Sequence, residues 1–544
     1  MSGEGVPGTR SVWWGRSSRA ASGLVVVGLT VAVVVAGARM PGSSDDPVAA
    51  ARISVPPALS TLVCAGPLIQ PDDTGRGDSA FDPTPVDPVT TVTAVTSVPD
   101  GEPGSAGTVG SLDRSATTAT LAPGGSTAVV TGTSGPQVVL AEPGAAPARV
   151  AASAAGLVTA GDLRGLSAAS CQQPTADAWL LGGATDLTST AQLVLDNAGS
   201  TPAEVTLELW GPSGPVDLSG ERFLVAPGAQ RVVVLGGVAA EQRRLALHVT
   251  ATGGRVGVHV QDSALDGFTP AGTDLVVPGA APARRQVVPG VAVVTSAVDD
   301  PAVSALRLLV PGETATTARV TLLGPAGATV LPGAEALALV PGEVTDIPLG
   351  GLPAGAYTVV VDADEPVLAA AVLTRPGTVG ELDDVPSVER AWAASTPVGR
   401  SGVVAVPDGT SGTLVVGAVS GDTDPAAGGE ATATLRLLGA DGAVLAERRL
   451  RLAAGTTASW SVDDLAAGSG DVAVADPAAP PAPPAGVVGV DLVTEDGADV
   501  GLAWALVAEV ARPDGFLVSV LDPVPVPRRA ADVAVREDPR FGTR

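Results

Sequence analysis

The 544-residue sequence contains no lysine, and only 2% of its residues are aromatic. Without lysine there is no Walker A loop, no Schiff-base chemistry and no lysine general base. Neither a Gly-x-Ser-x-Gly elbow nor a His-Glu-x-x-His helix is present, which excludes further classes of hydrolase. The formal net charge of −26 argues against nucleic-acid binding, because phosphate neutralisation needs clustered basic residues.

Three stretches of the chain repeat one pattern, at residues 179–260, 292–367 and 414–474. The turn sequence Gly211-Pro212-Ser213-Gly214 has a counterpart 113 residues later (324 − 211) and another after a further 115 residues (439 − 324). A repeat of this length indicates an array of like domains, because each copy must bury its own apolar faces or those of a neighbour.

Within each copy, short segments alternate apolar and polar side chains. In residues 204–209, Val205, Leu207 and Leu209 share one face, and polar residues occupy the other. This period of two is typical of a half-buried strand, and Gly and Pro mark the turns between such segments. Little helical periodicity is present, so the pattern favours antiparallel β-sandwiches of immunoglobulin-like general architecture.

We therefore predict an all-β protein, with an N-terminal single transmembrane helix followed by tandem antiparallel β-sandwich modules. The predicted divisions are a cytoplasmic N-terminus (1–19), a transmembrane helix or signal segment (20–38), a stalk (39–50), a divergent N-terminal β-domain (51–175), β-sandwich repeats 1, 2 and 3 (176–286, 287–388 and 389–525), and a disordered tail (526–544).

The location of the protein follows from residues 20–38, which carry no charge and come after Arg10, Arg16 and Arg19. Positive charge before an apolar run keeps the N-terminus inside, and this run nearly covers the ~30 Å hydrocarbon layer. Cleavage after Ala38 also fits a small-x-small processing site. A single-pass anchor and a cleaved signal both remain open, and either places the rest of the chain outside the cytoplasm.

The sequence has two cysteines, Cys64 and Cys171. In an oxidising compartment we expect them to form a disulfide that closes a loop of about 107 residues, which stabilises the fold by about 4–5 kcal/mol in the loop-entropy model. Two buried thiols are the alternative. A metal site is less favoured, because two distant cysteines without nearby histidine lack ligand spacing.

The chain's two histidines, His248 and His259, flank Gly253-Gly254. If these glycines form a two-residue hairpin turn, apolar residues such as Val249 and Val258 pair, and the histidines face each other on the solvent side. Such a pair could bind Zn²⁺ or Cu²⁺ if a third ligand approached. We favour two exposed polar residues with no metal, keep the metal pair as the weaker alternative, and predict no cofactor.

Carboxylates are plentiful in segments that we expect to be loops, at residues 362–365, 422–424 and 495–499. They could hold Ca²⁺ or form a glycosidase acid/base pair, but none has an EF-hand pattern, so we predict that they are solvated turns. The tryptophans within apolar strands are expected to pack in cores. Trp210, beside a Gly-Pro turn, is the strongest candidate for stacking on a carbohydrate.

Several short motifs resemble a known family: the run at 171–174, the Trp-Leu-Leu-Gly-Gly run at 179–183, and the segments 193–197 and 203–205. They are similar to an uncharacterised family, a domain of unknown function, of exported, membrane-anchored proteins of high-GC Gram-positive (actinobacterial) bacteria. The resemblance implies a place in the cell envelope and no particular chemistry.

The favoured function is a non-enzymatic extracytoplasmic envelope protein, tethered to the membrane by its N-terminal helix, that scaffolds or binds an unidentified envelope protein or glycan. One alternative is an exported glycan-processing enzyme or other hydrolase that uses carboxylates or a metal at the histidine pair. A second alternative is a glycan-binding adhesin.

Overall fold

The computed structural model describes residues 25, 27–33, 35, 51–54, 56–70, 85–98, 104–144, 146–300, 302–379, 385–421, 428–468, 486–495, 499–526 and 532–535; residues 51–54 and 532–535 are described by their backbone alone. Residues 27–33 are helical. In this described part of the chain no helix is both long enough and apolar enough to cross a membrane, so the predicted transmembrane helix is not shown. The cytoplasmic segment, the cleavage point at Ala38 and the stalk lie outside the described residues.

The chain divides into two compact units, residues 1–55 with 530–544, and residues 56–529. In the first unit, β1 (Ala51–Ser54) pairs antiparallel with β36 (Asp532–Val535). The tail predicted as disordered therefore contains a strand. Its Asp-Val-Ala-Val run is too short to show a sustained apolar period, but four residues suffice for backbone pairing with another segment.

The second unit contains four two-sheet modules, which we number in chain order. Module 1 spans residues 60–170, module 2 residues 177–276, module 3 residues 283–394 and module 4 residues 402–525. The strands of module 1 are β2 (Ser60–Cys64), β3 (Thr90–Thr96), β4 (Gly107–Ser111), β5 (Thr117–Leu121), β6 (Ser126–Thr133), β7 (Gln137–Ala141), β8 (Val150–Val158) and β9 (Gly165–Ser170).

Module 2 contains nine strands and a single 3-10 turn at Leu235–Gly237. Its strands are β10 (Asp177–Leu181), β11 (Ser189–Asp196), β12 (Ala203–Gly211), β13 (Gly214–Pro215), β14 (Arg222–Val225), β15 (Gln230–Val234), β16 (Ala246–Thr252), β17 (Gly257–Asp266) and β18 (Thr269–Val276).

Modules 3 and 4 complete the unit. Module 3 has β19 (Ala283–Val293), β20 (Ala305–Leu309), β21 (Thr316–Gly324), β22 (Gly327–Val330), β23 (Leu337–Leu339), β24 (Thr345–Pro348), β25 (Gly355–Val379) and β26 (Pro386–Ala394). Module 4 has β27 (Gly402–Ala405), β28 (Ser411–Ser420), β29 (Glu430–Gly439), β30 (Val444–Ala453), β31 (Thr457–Ser461), α1 (Val462–Ala467), β32 (Val487–Thr494), β33 (Val500–Arg512), β34 (Gly515–Leu521) and β35 (Val524–Pro525).

All four modules share one antiparallel topology. In module 1 the two sheets have the orders β2-β7-β4-β5 and β6-β3-β8-β9, and module 4 repeats them as β27-β32-β29-β30 and β31-β28-β33-β34. Module 2 follows with β10-β16-β12-β13 and β15-β11-β17-β18. The predicted divergent N-terminal β-domain thus has the same strand order as the repeats. The exact domain boundaries stay predictions, because residues 56–529 form one compact unit.

Module 3 departs from this pattern in one respect. Its 25-residue strand β25 pairs first with β19 and β21, and then with β20 and β26, so one continuous strand serves both sheets. Modules 2 and 4 use two separate strands at the equivalent place. The acidic run 362–365, predicted as a loop, lies within β25 and is a strand.

The predicted hairpin at Gly253-Gly254 is wrong. Strand β16 pairs with β10 and β12 in one sheet, whereas β17 pairs with β11 and β18 in the other. The two glycines therefore connect opposite layers of the sandwich. Val249 and Val258 do share a core, but across the gap between the sheets and not across a ladder.

The alternation predicted for residues 204–209 is confirmed. Val205, Leu207 and Leu209 are almost completely buried, whereas Glu204 and Glu208 are exposed. Each module has a core of this kind, built mostly from Val, Leu and Ala. At about 25 cal/mol per Å² of buried apolar surface, such aliphatic layers supply the main driving force for folding.

The four modules close into a ring. Each contains a hairpin, β8-β9, β17-β18, β25-β26 or β33-β34, and the second strands of these hairpins pack around one centre: β9 and β26 each contact both β18 and β34. Module 4 thereby returns to module 1, so the repeats form a closed assembly.

Buried polar groups connect all four modules at this centre. The Asp274 carboxylate of module 2 accepts hydrogen bonds from the Trp392 backbone N–H of module 3 (2.8 Å) and from the Ser519 hydroxyl of module 4 (2.8 Å). The backbone N–H of Ala168 in module 1 donates to the same Ser519 Oγ (3.0 Å). Burial raises the pKa of the Asp274 carboxyl well above its usual range.

Candidate functional site

The outward face of one sheet of module 2 gathers aromatic and acidic side chains. Strand β16 lies between β10 and β12, and its His248 pairs with Trp179 on one side and Glu208 on the other. Because side chains two residues apart share a face, Trp210 lies on the same side of β12 as Glu208. The inward neighbours of these residues fill the module core, which fixes the row in place.

The aromatic rings of this row are stacked. The Trp179 and His248 ring centroids are 3.9 Å apart with an interplanar angle of 7°, and the Trp179 and Trp210 centroids are 5.4 Å apart at 29°. Both tryptophans are half-buried and pack against a small apolar cluster that contains Leu309 and Val344 of module 3. We call Trp179, Trp210 and His248 the aromatic row.

His248 is held between two carboxylates. Its Nδ1 lies 2.8 Å from Glu208 Oε2, and its Nε2 lies 3.2 Å from Asp177 Oδ2. Each ring nitrogen of His248 therefore has a carboxylate oxygen within hydrogen-bond distance. These two contacts fix the orientation of the imidazole within the row.

Module 3 supplies the opposite wall of a groove over the aromatic row. The wall consists of residues 310–314, which follow β20, and of Glu365 and Pro366 of β25. The groove encloses about 490 Å³, within the usual range for small-molecule sites, and combines flat aromatic faces with carboxylates. We call it the Trp groove. It can hold a ligand with an apolar face and polar edges.

The predicted disulfide is present between Cys64 and Cys171. Cys64 ends β2, and Cys171 follows directly after β9, so the bond connects the first and last strands of module 1. Both sulfur-bearing residues are buried in the module core. The alternatives of two free thiols and a metal site are therefore wrong.

The predicted histidine pair does not form, because β16 and β17 lie in different sheets. His248 belongs to the aromatic row, whereas His259 borders a small cavity that also contains Asp196. Burial lowers the pKa of His259 to about 4 and raises that of Asp196 to about 7, so the neutral form of each is favoured. Among the described residues, no group of three His, Cys, Asp or Glu side chains could hold a metal ion.

The acidic segments do not converge on a cleft in the described part of the chain. Asp362 forms an ion pair with Arg285 (2.6 Å), and Glu495 pairs with Arg449 (3.1 Å). Residues 422–424 lie outside the described residues, as do 496–498. Of the described carboxylates in these segments, Glu365 lines the Trp groove.

Of the tryptophans predicted to be core residues, Trp392, Trp460 and Trp504 are buried. Trp179 and Trp210 are exceptions, since both are half-buried and line the Trp groove. The order β10-β16-β12 places Trp179 beside Trp210, and no local pattern reveals that order. The sequence pointed to Trp210 through its position beside the Gly211-Pro212 turn, and the i, i+2 spacing of Glu208 and Trp210 places both on the outward face of β12.

The fold and the groove define an all-β protein of closed tandem sandwiches with a surface site of aromatic and acidic side chains. The chain belongs to a family of unknown function (DUF5719), whose model matches residues 124–463. No curated protein matches it. Among solved structures it is similar to the BSP domain of a biofilm-associated protein, at 8% identity over 86% of this chain and 96% of that one, with a TM-score of 0.12. That likeness is too weak to support an argument.

Proposed function

We propose that the protein is a non-enzymatic, extracytoplasmic envelope protein that binds carbohydrate in the Trp groove. One observation carries the proposal: an aromatic row on a rigid sheet faces polar groups on the opposite wall of a groove. The C–H bonds on one face of a pyranose are slightly positive, and an indole face is negative, so the two surfaces stack favourably. The hydroxyl groups around the sugar ring can donate hydrogen bonds to the groove carboxylates.

The rigidity of the groove supports binding over catalysis. The row stands on three paired strands, and Arg307 of module 3 joins the two modules through a hydrogen bond to the Gly183 carbonyl (2.8 Å). A preformed site loses little conformational entropy when it binds. With both ring nitrogens engaged by carboxylates, His248 serves to position the row.

The disulfide supports a location outside the cytoplasm, because such bonds persist in oxidising compartments. The uncharged segment 20–38 after three arginines supports export, with the N-terminal segment as anchor or cleaved signal. We infer a position in the cell envelope. An alkaline phosphatase fused to the C-terminus is expected to be active, and an inactive fusion in cells that make the full chain would contradict export.

The binding proposal is tested with a glycan array, followed by calorimetric titration of the strongest oligosaccharide. We expect Trp210→Ala to weaken binding by at least about tenfold, or about 1.4 kcal/mol. Trp210→Tyr keeps an aromatic face and should retain part of the affinity. Phe268→Ala is the matched control, because Phe268 is 80% exposed and does not line the groove.

Melting temperatures of the variants separate loss of binding from loss of structure. If no oligosaccharide binds saturably, or if Trp210→Ala binds as tightly as the unaltered protein, the proposal is refuted. Sugar release from the bound oligosaccharide during long incubation would replace it with the hydrolase alternative.

A further inference from the structure

We propose that the Trp groove selects a sugar chain that carries protonated amines, of the glucosamine type, over the same chain in its neutral N-acetylated form. The inference rests on the proposed carbohydrate binding and adds the charge of the ligand. Two observations support it: the identity of the charged residues that line the groove, and their positions relative to the aromatic row.

The charge of the groove lining is negative. Three carboxylates line it, those of Glu208, Glu313 and Glu365, and His248 is the one lining side chain that can carry positive charge. Even with a charged imidazole the sum is −2 (−3 + 1). No arginine is among the lining residues, and the chain has no lysine. An anionic sugar would be repelled, and a neutral one would make hydrogen bonds to the carboxylates but lack the attraction between opposite net charges.

The carboxylates of the opposite wall are available to a ligand. In the part of the chain that the structure describes, neither Glu313 nor Glu365 forms an ion pair with an arginine within 4.0 Å. Glu365 is fixed by its backbone N–H, which donates to Thr316 Oγ1 (2.9 Å). Glu313 is exposed on the loop after β20.

An ammonium group bound in the groove would meet favourable partners on both walls. On one side lie indole faces, which attract cations through their quadrupole, and on the other lie unpaired carboxylates. A glucosamine unit satisfies both, because its pyranose ring stacks while its amine makes the charged contacts. A bare metal ion is a poor fit, since the described carboxylates do not converge as a ligand set.

The test compares a glucosamine tetramer with an N-acetylglucosamine tetramer in calorimetric titrations of the full chain, under mildly acidic conditions that protonate the amines. We expect the amine tetramer to bind about tenfold more tightly at low salt, and the difference to shrink as salt screens the charges. A tetralysine peptide, which carries amines but no pyranose ring, should bind more weakly than the amine tetramer.

The double variant Glu313→Gln/Glu365→Gln is expected to lose the preference, because it removes two negative charges and so weakens binding of the amine tetramer more than binding of the acetylated tetramer. Glu335→Gln is the matched control, because it removes an exposed carboxylate of module 3 outside the groove. Trp210→Ala should weaken both tetramers.

The outcomes separate the two proposals. Equal affinities, tighter binding of the acetylated tetramer, or a preference that survives the double variant would overturn the charge selectivity and leave carbohydrate binding intact. Tetralysine that binds as tightly as the amine tetramer would overturn the assignment to a sugar. Failure of both tetramers and of every arrayed glycan would refute carbohydrate binding itself.

Discussion

Replacing Asp491 by alanine tests whether the closure of module 4 onto module 1 stabilises the fold. Asp491 lies on β32 of module 4, and its side chain is completely buried. Both of its oxygens accept hydrogen bonds from the Arg149 guanidinium of module 1, with Nε 3.1 Å from Oδ2. The Ser97 hydroxyl, also of module 1, donates to Oδ2 at 2.5 Å.

The expected cost follows from what the substitution leaves behind. The Arg149 side chain is only 12% exposed, so removing its partner leaves the guanidinium charge unpaired and poorly hydrated. Breaking a buried ion pair on one side typically costs about 3–5 kcal/mol. The Ser97 hydroxyl loses its acceptor as well, and the two losses share one carboxylate, so we expect the total to stay within that range.

Urea unfolding followed by circular dichroism measures this cost. Glu430→Ala is the control on the neighbouring strand β29, because its pair with Arg451 is long (3.9 Å) and about half exposed on both sides. Such surface pairs contribute about 0–1 kcal/mol. If Asp491→Ala costs no more than Glu430→Ala, the contact between modules 4 and 1 does not stabilise the ring, and the argument from its burial is wrong.

Two further predictions concern pH and turn geometry. Asp196, with its pKa raised from 3.8 to about 7, makes the free energy of unfolding fall as pH rises through that interval, whereas His259, lowered from 6.5 to about 4, makes it rise. Measured against the unaltered protein, His259→Gln should make the slope of the unfolding free energy against pH more negative between about 4 and 6.5, and Asp196→Asn should make it more positive between 3.8 and about 7, each by up to about 1.4 kcal/mol per pH unit in urea titrations. Slopes equal to that of the unaltered protein would contradict both assignments. Gly442→Ala should destabilise more than Gly327→Ala in thermal melts. Both glycines have positive φ (+78° and +117°), but at Gly442 the new Cβ would lie 2.3 Å from the Ser126 backbone nitrogen, whereas at Gly327 it would meet no atom within 4 Å. Equal losses would contradict this packing argument.

Local chemistry in the sequence predicts the repeated unit well. The turn glycines Gly214, Gly327 and Gly442 recur because all three have positive φ, which other residues adopt at a cost. The alternation in β12 appears in the sequence because one face is buried and the other is not. Cys64 and Cys171 were the chain's only two cysteines, so in an oxidising compartment the bond between them was the expected one.

Local sequence patterns do not predict which strands pair or how the modules pack together. A pair such as Val249 and Val258 meets whether the strands share a ladder or face each other across a sandwich, so alternation cannot distinguish a hairpin from a crossing between sheets. For the same reason the neighbours of β10 were not predicted, and with them the Trp groove. The burial of Asp274 and Ser519 was not predicted either, because polar residues are expected to be exposed and these two are buried only by contacts between modules.

Closure of the ring also bears on how this family can evolve. Open solenoids tolerate gain or loss of a unit, because each copy contacts only its sequence neighbours. Here the fourth sandwich completes a circuit, so deleting one copy or inserting a fifth would leave two unmatched surfaces. Selection should therefore hold the copy number at four while individual loops drift, and variation in length among relatives should fall at the strand connections.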